Sequence, residues 1–168
     1  SIACPAAYCG VVGFTPTYGR ISRYGLIDYG NSLDKLGLIA KTVKQCAEVL
    51  EIVAGHDEKD STSIDAPVDQ YTKFLNKDIK GLKIGIIKES LQEGIESEVK
   101  AAFELTINKL KDKGAIVEEV SLPLTFKYGI SVYYLIAMCE ASTNLAKLCG
   151  IRYGAEEKPE GNFNEYFS

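Results

Sequence analysis

The chain has 168 residues, 46% hydrophobic and 25% charged, a composition typical of one soluble globular domain with a sizeable core. Its net charge is −4, from 19 Lys and Arg against 23 Asp and Glu. This mild acidity argues against electrostatic binding of nucleic acid over the whole surface. The single histidine, His56, excludes a multi-histidine metal site within the chain.

The first 37 residues are rich in glycine and other small residues. Glycines at 10, 13, 19, 25, 30 and 37 disfavour helices and predict short strands, tight turns and close backbone approach. The apolar run within residues 9–15 predicts a buried strand. Neither glycine-rich nucleotide motif occurs, which disfavours a phosphate-binding loop. Because no initiator methionine opens this segment, we expect the chain to be part of a longer protein.

A helix followed by a long loop is predicted next. Thr42 and Gln45 have the spacing of a capping box, and apolar residues recur at helical spacing up to Gly55, which predicts a helix over residues 43–54. The polar stretch from His56 to about residue 80 has no period and predicts a surface loop with a binding or packing role. We interpret the adjacent pair His56 and Asp57 as loop or cap residues and not as a catalytic dyad.

The middle of the chain has the pattern of a βαβ unit. Residues 82–87 and 115–120 predict two strands, and apolar positions from Val99 to Leu110 predict the helix between them. Glutamates near the start of that helix and lysines near its end match the helix dipole. We therefore expect two parallel strands joined by a right-handed crossover, serving as scaffold.

A last helix is predicted over about residues 128–148, ending at Gly150 before a polar tail. Its first half is apolar on nearly all sides, which predicts deep burial. Its tyrosines, Glu140 and Asn144 would then need hydrogen-bond partners or a wet cavity. A pocket wall and a core helix with satisfied polar groups both remain open.

The five cysteines are odd in number and form no C-x-x-C pair, which favours buried free thiols over a disulfide framework or a zinc ribbon. The chain does not begin with the charged region and following apolar region of a secretory signal peptide. Its longest apolar run, residues 132–139, is shorter than the roughly 20 residues that are needed to span a bilayer. We expect a cytoplasmic protein that does not associate with a membrane.

Several blocks resemble the amidase signature family. The opening block looks like the end of the family signature. In that signature a pair of glycines is followed in order by a serine, an aliphatic residue, usually an arginine, any residue and a proline. Later blocks are close to the A subunits of aspartyl/glutamyl-tRNA amidotransferases, and the last two separate these subunits best from general amidases. The matching blocks are Ser1-Ile2-Ala3-Cys4-Pro5-Ala6, residues 9–20, 22–26, Ser32-Leu33-Asp34, 54–57, 60–63, Tyr133-Tyr134, 140–146 and Ile151-Arg152-Tyr153-Gly154.

The resemblance implies an α/β amidase-signature fold, with a mixed central sheet flanked by helices on both faces and here only partly represented. Residues 1–168 would form the central part of such a domain. We divide them into a glycine-rich core segment (1–40), a helix and surface loop (41–80), a βαβ unit (81–120), and a buried helix with a polar tail (121–168).

The resemblance also implies serine chemistry. Ser1 falls on the family's nucleophile, which would attack the side-chain amide of glutamine, form an acyl-enzyme and release ammonia. The family's lysine and bridging serine lie upstream of this motif, so we expect the segment alone to be inactive. Tyr133 or Tyr134 is expected to line the glutamine pocket. Ala3 departs from the family, which usually has arginine there, and so puts the local hydrogen-bond network in doubt.

The same resemblance implies an amidotransferase that converts Asp-tRNA(Asn) or Glu-tRNA(Gln) to Asn-tRNA(Asn) or Gln-tRNA(Gln). It implies B and C subunits as partners, tRNA contact mainly through the B subunit, and ATP and Mg used by a partner, with no cofactor or metal in this chain. Three alternatives stay open: another amidase-signature amide hydrolase, a noncatalytic assembly piece, and an N-terminal-nucleophile hydrolase that uses its own α-amine as base.

Overall fold

The computed structural model describes residues 1–91, 94–148 and 161–162. They form an α/β structure, as expected. The strands are β1 (Val12–Phe14), β2 (Leu38–Ala40), β3 (Lys83–Ile87) and β4 (Ile116–Val120). The helices are α1 (Ala3–Tyr8), α2 (Val43–Val53), α3 (Ser97–Asp112) and α4 (Pro123–Leu145), with 3₁₀ turns at Tyr71–Phe74, Lys88–Leu91 and Ala146–Leu148. In the described part of the chain the strands pair in two sheets, β1 with β2 antiparallel and β3 with β4 parallel.

The chain divides into two compact units. The first comprises Ser1–Tyr24 and Lys35–Ser131, and the second comprises Gly25–Asp34 and Val132–Ser168. This division differs from the four segments predicted from the sequence. The Gly25–Asp34 segment belongs to the same unit as the second half of α4, whereas the residues on either side of it in the chain belong to the first unit.

The glycine-rich start of the first unit contains a helix that the glycine spacing did not predict. Six residues, most of them small, form α1, and β1 packs closely against it. A Cβ at Gly13 would lie 2.7 Å from the Ala6 Cβ and 2.8 Å from the Ile2 carbonyl oxygen, so only glycine permits this approach. The expected close backbone approach is thereby confirmed.

The strand predicted for residues 9–15 is shorter and less buried than expected. Only Val12–Phe14 is extended, and Phe14 is 40% exposed. The reason is that the preceding residues complete the end of α1: the Cys9 and Val11 amides donate to the Pro5 and Ala6 carbonyl oxygens. The predicted strand is therefore present within residues 9–15, but the prediction that it is buried was wrong.

Helix α2 confirms its prediction closely. The Thr42 Oγ1 accepts from the Gln45 amide at 3.2 Å, and the Gln45 Oε1 accepts from the Thr42 amide at 3.2 Å, which completes the capping box. Cys46, Ala47 and Leu50 form its buried stripe. The helix ends at Val53, one residue earlier than predicted.

The long polar loop after α2 has a packing role. The Gly55 and Ile64 amides donate to the Arg20 and Gly19 carbonyl oxygens. The Arg20 guanidinium donates to the Tyr71 hydroxyl at 2.9 Å and to two loop carbonyl oxygens, those of Ala66 and Pro67. These contacts join the loop to the glycine-rich segment of the same unit.

The predicted βαβ unit is confirmed, including its parallel pairing. Ile84 pairs with Val117 and Ile86 with Glu119 across the two strands. Helix α3 begins two residues before the predicted apolar stretch and presents Phe103, Ile107 and Leu110 as its half-buried side chains.

Helix α4 contradicts the prediction of deep burial. It begins at Pro123, a residue favoured at the first helical position because its φ is preset and its missing N–H is not needed. Only Ala137, Ala141 and Asn144 are buried along it. Leu124 is 70% exposed and Ile130 74% exposed. A helix that is apolar on all sides could be buried on all sides. In this structure, however, the described residues cover only one narrow face of α4.

Two further sequence expectations concern the cysteines and the end of the chain. Cys46 is buried as expected, but the thiols of Cys4, Cys9 and Cys139 are exposed, so the general prediction of buried thiols was wrong for these three. Cys149, the helix end at Gly150, the block at residues 151–154 and the polar tail lie outside the described residues, apart from Gly161 and Asn162, which are exposed. Among the helices that are described, none is both long enough and apolar enough to cross a bilayer.

Candidate functional site

Ser1, the predicted nucleophile, is exposed and lies two residues before α1. The segment that carries it is anchored through Ile2. The Ile2 carbonyl oxygen accepts from the Ala6 amide at 3.1 Å. A Cβ at Gly37 would lie 2.7 Å from the Ile2 Cγ1 and 2.9 Å from the Phe14 carbonyl oxygen, so glycine at this position lets the chain entering β2 pack against Ile2. The backbone beside Ser1 is therefore held in place.

Ala3 is the first residue of α1, and its side chain is exposed. Alanine at this position supplies no side-chain hydrogen-bond donor near Ser1, where an arginine would supply several.

Tyr133 and Tyr134 lie in the second unit, on α4, whereas Ser1 belongs to the first unit. The two tyrosine rings meet edge to face, with centroids 5.4 Å apart and planes at 63°. Both residues are about half exposed, 51% for Tyr133 and 53% for Tyr134. Successive residues on a helix point about 100° apart, so the two hydroxyls belong to different faces.

The face of α4 that includes Tyr133 bonds to the rest of the second unit through Glu140 and Asn144. Residues four, seven and eleven positions after Tyr133 lie within about 40° of it around the helix axis. They are Ala137, Glu140 and Asn144, of which Ala137 and Asn144 are buried. Tyr134 instead shares a face with the buried Ala141 and with Met138 and Leu145, which are exposed.

Glu140 and Asn144 both have hydrogen-bond partners, as expected for polar residues in a largely apolar helix. The Glu140 carboxylate accepts from both the amide and the hydroxyl of Ser32. These two hydrogen bonds, the hydroxyl first, lower the pKa of Glu140 below its usual value. Asn144 is 5% exposed. Its side-chain Nδ2 donates to the Tyr29 carbonyl oxygen at 3.0 Å, and its Oδ1 accepts from the side-chain Nδ2 of Asn31 at 3.1 Å.

Sequence reasoning missed these partners. Ser32 lies in one of the blocks that resemble the family, but 108 residues separate it from Glu140, and Asn31 precedes that block. The only local signal is that Glu140 and Asn144 are polar residues in a largely apolar helix, which implies that they need partners without identifying them.

The pair His56 and Asp57 acts as a loop cap, as interpreted from the sequence. The Asp57 carboxylate accepts from the Ser22 hydroxyl at 2.6 Å and from the Lys59 amide at 2.9 Å. The Ser22 hydroxyl is the main cause that lowers the pKa of Asp57. The His56 Nδ1 lies 3.0 Å from the Ser63 hydroxyl. The two side chains thus bond to different parts of the loop and its neighbouring segment.

Two other features of the described residues bear on possible chemistry. No group of three or more His, Cys, Asp and Glu side chains that could hold a metal occurs within residues 1–91, 94–148 and 161–162. A small groove in the first unit is lined almost entirely by apolar side chains, which are Phe14, Val43, Cys46, Ala47, Leu50, Tyr71 and Leu75. This lining contains no acid–base pair.

The chain is similar to known proteins over almost its whole length. The sequence profile of the amidase family matches residues 1–166. The A subunit of glutamyl-tRNA(Gln) amidotransferase from Carboxydothermus hydrogenoformans is 52% identical over 168 residues, which are 100% of this chain and 34% of that protein. The protein of the same name from Staphylococcus saprophyticus is 55% identical over 164 residues, 96% of this chain and 33% of that protein.

Among solved structures, the chain resembles the crystal structure of the glutamyl-tRNA(Gln) amidotransferase A subunit of Thermotoga maritima. The TM-score is 0.78 at 39% identity, over 89% of this chain and 32% of that one. The chain thus spans about a third of the length of the curated relatives that it matches.

Proposed function

Because this chain belongs to the amidase family, we propose that it is the serine-bearing part of an A subunit of a tRNA-dependent amidotransferase. In this proposal glutamine is hydrolysed to ammonia, which is used to convert Glu-tRNA(Gln) or Asp-tRNA(Asn) to Gln-tRNA(Gln) or Asn-tRNA(Asn). The observation that carries the proposal is the 52% identity, over all 168 residues, to a protein named as such a subunit.

Ser1 is the proposed nucleophile. Its Oγ would attack the side-chain carbonyl carbon of glutamine, the C–N bond would break, and ammonia would leave with the proton taken from the hydroxyl. Water would then hydrolyse the acyl-ester to glutamate. A hydroxyl is a weak nucleophile at neutral pH, so it needs a base.

The remaining machinery is implied by the family resemblance. A neutral lysine would take the proton of Ser1 through a bridging serine, and both lie upstream of the signature block in the family. Backbone N–H groups of the glycine-rich turn before the serine would bind the oxyanion. The segment by itself is accordingly proposed to be inactive.

We propose Tyr133 as the tyrosine of the glutamine pocket, ahead of Tyr134. Tyr133 lies on the polar face of α4 with Glu140 and Asn144, whereas the face of Tyr134 is apolar. An amide substrate needs hydrogen-bonding groups, and these are grouped on the first of the two faces.

The partners follow from the same proposal. B and C subunits would complete the enzyme, the B subunit would make most of the tRNA contact, and a partner would use ATP and Mg. The net charge of −4 is consistent with tRNA contact being made elsewhere. A cytoplasmic location follows from the proposed aminoacyl-tRNA substrate.

The test uses a chimaera in which residues 1–168 replace the matching third of the Carboxydothermus hydrogenoformans relative, assembled with that relative's partner subunits. We expect Ser1→Ala to lower glutamine hydrolysis at least about a thousandfold, because removing a serine nucleophile disables the whole catalytic group. Amidation supplied with free ammonia should persist. Ser61→Ala, which alters an exposed loop serine, is the matched control.

A glutamine-like electrophile identifies the reacting atom directly. After digestion of the treated chimaera, the label should be found on Ser1 and should be absent from the Ser1→Ala variant. A label on another side chain would contradict the assignment. Glutamine hydrolysis that survives Ser1→Ala would contradict it as well, and would reopen the possibility of a different amide-hydrolysing site.

A noncatalytic assembly role is the second candidate, and Ala3 is the observation that favours it. Because Ala3 is exposed, Ala3→Arg can restore the usual arginine with little effect on stability, within about 0.5 kcal/mol. Under the enzymatic proposal, the chimaera with Ala3→Arg hydrolyses glutamine at least as fast as its parent. An assembled complex that stays inert with arginine at this position would favour the noncatalytic role.

A further inference from the structure

The Gly25–Asp34 part of the second unit contains a turn, residues 28–34, whose polar groups are directed at α4. Both oxygens of Glu140 are used by one residue of that turn: the Ser32 amide donates at 3.0 Å, and the Ser32 hydroxyl donates to the other oxygen. Gly30 lies against the same carboxylate, because a Cβ there would be 3.3 Å from the Glu140 Oε2. A two-oxygen contact of this kind fixes orientation as well as distance.

A second attachment lies one turn further along the helix. The Asn144 side chain donates to the Tyr29 carbonyl oxygen and accepts from Asn31, so it bonds two residues of the turn at once. Lys147 forms an ion pair with Asp28 at 3.1 Å. Successive attachments along one helix face restrict both rotation about the helix axis and sliding along it.

The turn is itself closed from within. The Asp34 carboxylate accepts from the Tyr29 amide at 2.6 Å and from the Gly30 amide at 2.9 Å. The Leu33 and Asp34 amides both donate to the Gly30 carbonyl oxygen. These internal hydrogen bonds fix the conformation of the turn, so the Ser32 donors are held in position for Glu140.

We infer that Glu140 is a positioning residue for the glutamine pocket. By attaching α4 to the 28–34 turn, it fixes the rotation of the helix face on which Tyr133 lies, seven residues earlier. This inference rests on the proposed function, in which Tyr133 contacts glutamine. A small rotation of the helix has a large effect at the side chain. When a side-chain tip lies about 6 Å from the helix axis, a rotation of about 10° moves it by about 1 Å. Displacements of that size are costly where substrate must be held in one geometry.

The variant Glu140→Gln tests this inference in the chimaera. A glutamine side chain keeps one acceptor but turns an NH₂ group toward a donor of Ser32, so the two-oxygen contact is lost. We expect the KM for glutamine to rise about tenfold, with kcat within about twofold and ammonia-supplied amidation unchanged. Amide hydrogen exchange at Ser32 should be faster. A loss of all activities together would overturn the inference, because it would indicate a general loss of structure.

Two more variants make the test specific. Ser32→Ala removes only the hydroxyl donor and should raise KM by a smaller factor in the same direction. In a Tyr133→Phe background, Glu140→Gln should add little to the rise in KM, because its effect is transmitted through the tyrosine hydroxyl. Glu48→Gln is the matched control, since that exposed glutamate on α2 pairs along its own helix, with Lys44.

The outcomes separate the two proposals. If the chimaera has no glutamine-hydrolysing activity, either with Ala3 or with Ala3→Arg, the proposed function is overturned and this inference falls with it. If the parent is active and Glu140→Gln leaves KM unchanged, or its effect simply adds to that of Tyr133→Phe, the positioning role is overturned and the proposed function stands.

Discussion

At the scale of single residues, Asp60 organises the loop that follows α2. Its carboxylate accepts from the Arg23 amide at 2.7 Å, from the Thr62 hydroxyl at 2.7 Å and from the Thr62 amide at 2.9 Å. The residue is 8% exposed, and these donors, the Arg23 amide first, lower the pKa of Asp60 to about 2. One side chain thus holds the loop against the segment that begins the first unit.

We expect this carboxylate to make stability depend on acid pH. Because its pKa in the folded chain is below the unfolded value of about 3.9, its stabilising effect is fully present above about pH 5. The effect is lost as the pH falls through the unfolded pKa toward the folded one. Thermal unfolding of the chimaera should therefore give a lower Tm for Asp60→Asn at about pH 7, and a smaller drop in Tm between about pH 5 and pH 3, than for the parent.

Asp65→Asn serves as the comparison for that prediction, since Asp65 is exposed in the same loop. A Tm-against-pH profile for Asp60→Asn that runs parallel to those of the parent and of Asp65→Asn would show that Asp60 does not carry the acid sensitivity.

At the scale of elements, the ends and faces of the helices are set by different physics. Helix α2 begins where its capping box satisfies the first amides, an arrangement contained within four residues. The start of α4 is set by Pro123 in its first turn. Which face of α4 is covered is not a local matter, because it depends on a turn more than 100 residues earlier.

The capping box gives a prediction for α2. Thr42→Ala removes the acceptor for the Gln45 amide and should cost about 1 kcal/mol in the free energy of unfolding, measured by urea denaturation of the chimaera. Thr106→Ala is the matched control, because that threonine is exposed within α3 and bonds back to the Ala102 carbonyl oxygen. Alanine favours a helix interior, so the control should be neutral or slightly stabilising. Equal costs for the two variants would contradict the capping role.

At the scale of the whole molecule, the main feature is the exposed apolar surface of α4. Leu124, Ile130 and Leu135 are each at least 69% exposed, along a helix whose described partners cover one narrow face. Large exposed apolar surfaces are typical of interaction sites, or of chains that associate when the surface is left uncovered.

We expect the 168-residue chain on its own to self-associate through this helix. The double variant Leu124→Glu and Ile130→Glu should reduce light scattering and the binding of an apolar dye relative to the unmodified chain. The matched control, Ile52→Glu with Val99→Glu, adds the same charge at exposed apolar positions of α2 and α3. If both double variants reduce association equally, the added charge explains the effect and α4 is not the site.

The sequence by itself determined the local features of this protein. The capping box of α2, the parallel βαβ unit and the close approach at Gly13 follow from hydrogen bonds and side-chain sizes within short stretches of chain. The family was also readable from short blocks, because a signature depends on residue identity and spacing. Helix α1 was missed because most of its residues are small and have no apolar period to detect.

Only the tertiary structure decided which surfaces are covered and which distant residues meet. The exposure of α4, and the attachment of Glu140 and Asn144 to the turn that contains Asn31 and Ser32, join parts of the chain that share no local pattern. Periodicity indicates how apolar a face is, and a lone polar residue indicates that it needs a partner. Neither identifies the partner, because that depends on the path of the whole backbone in space.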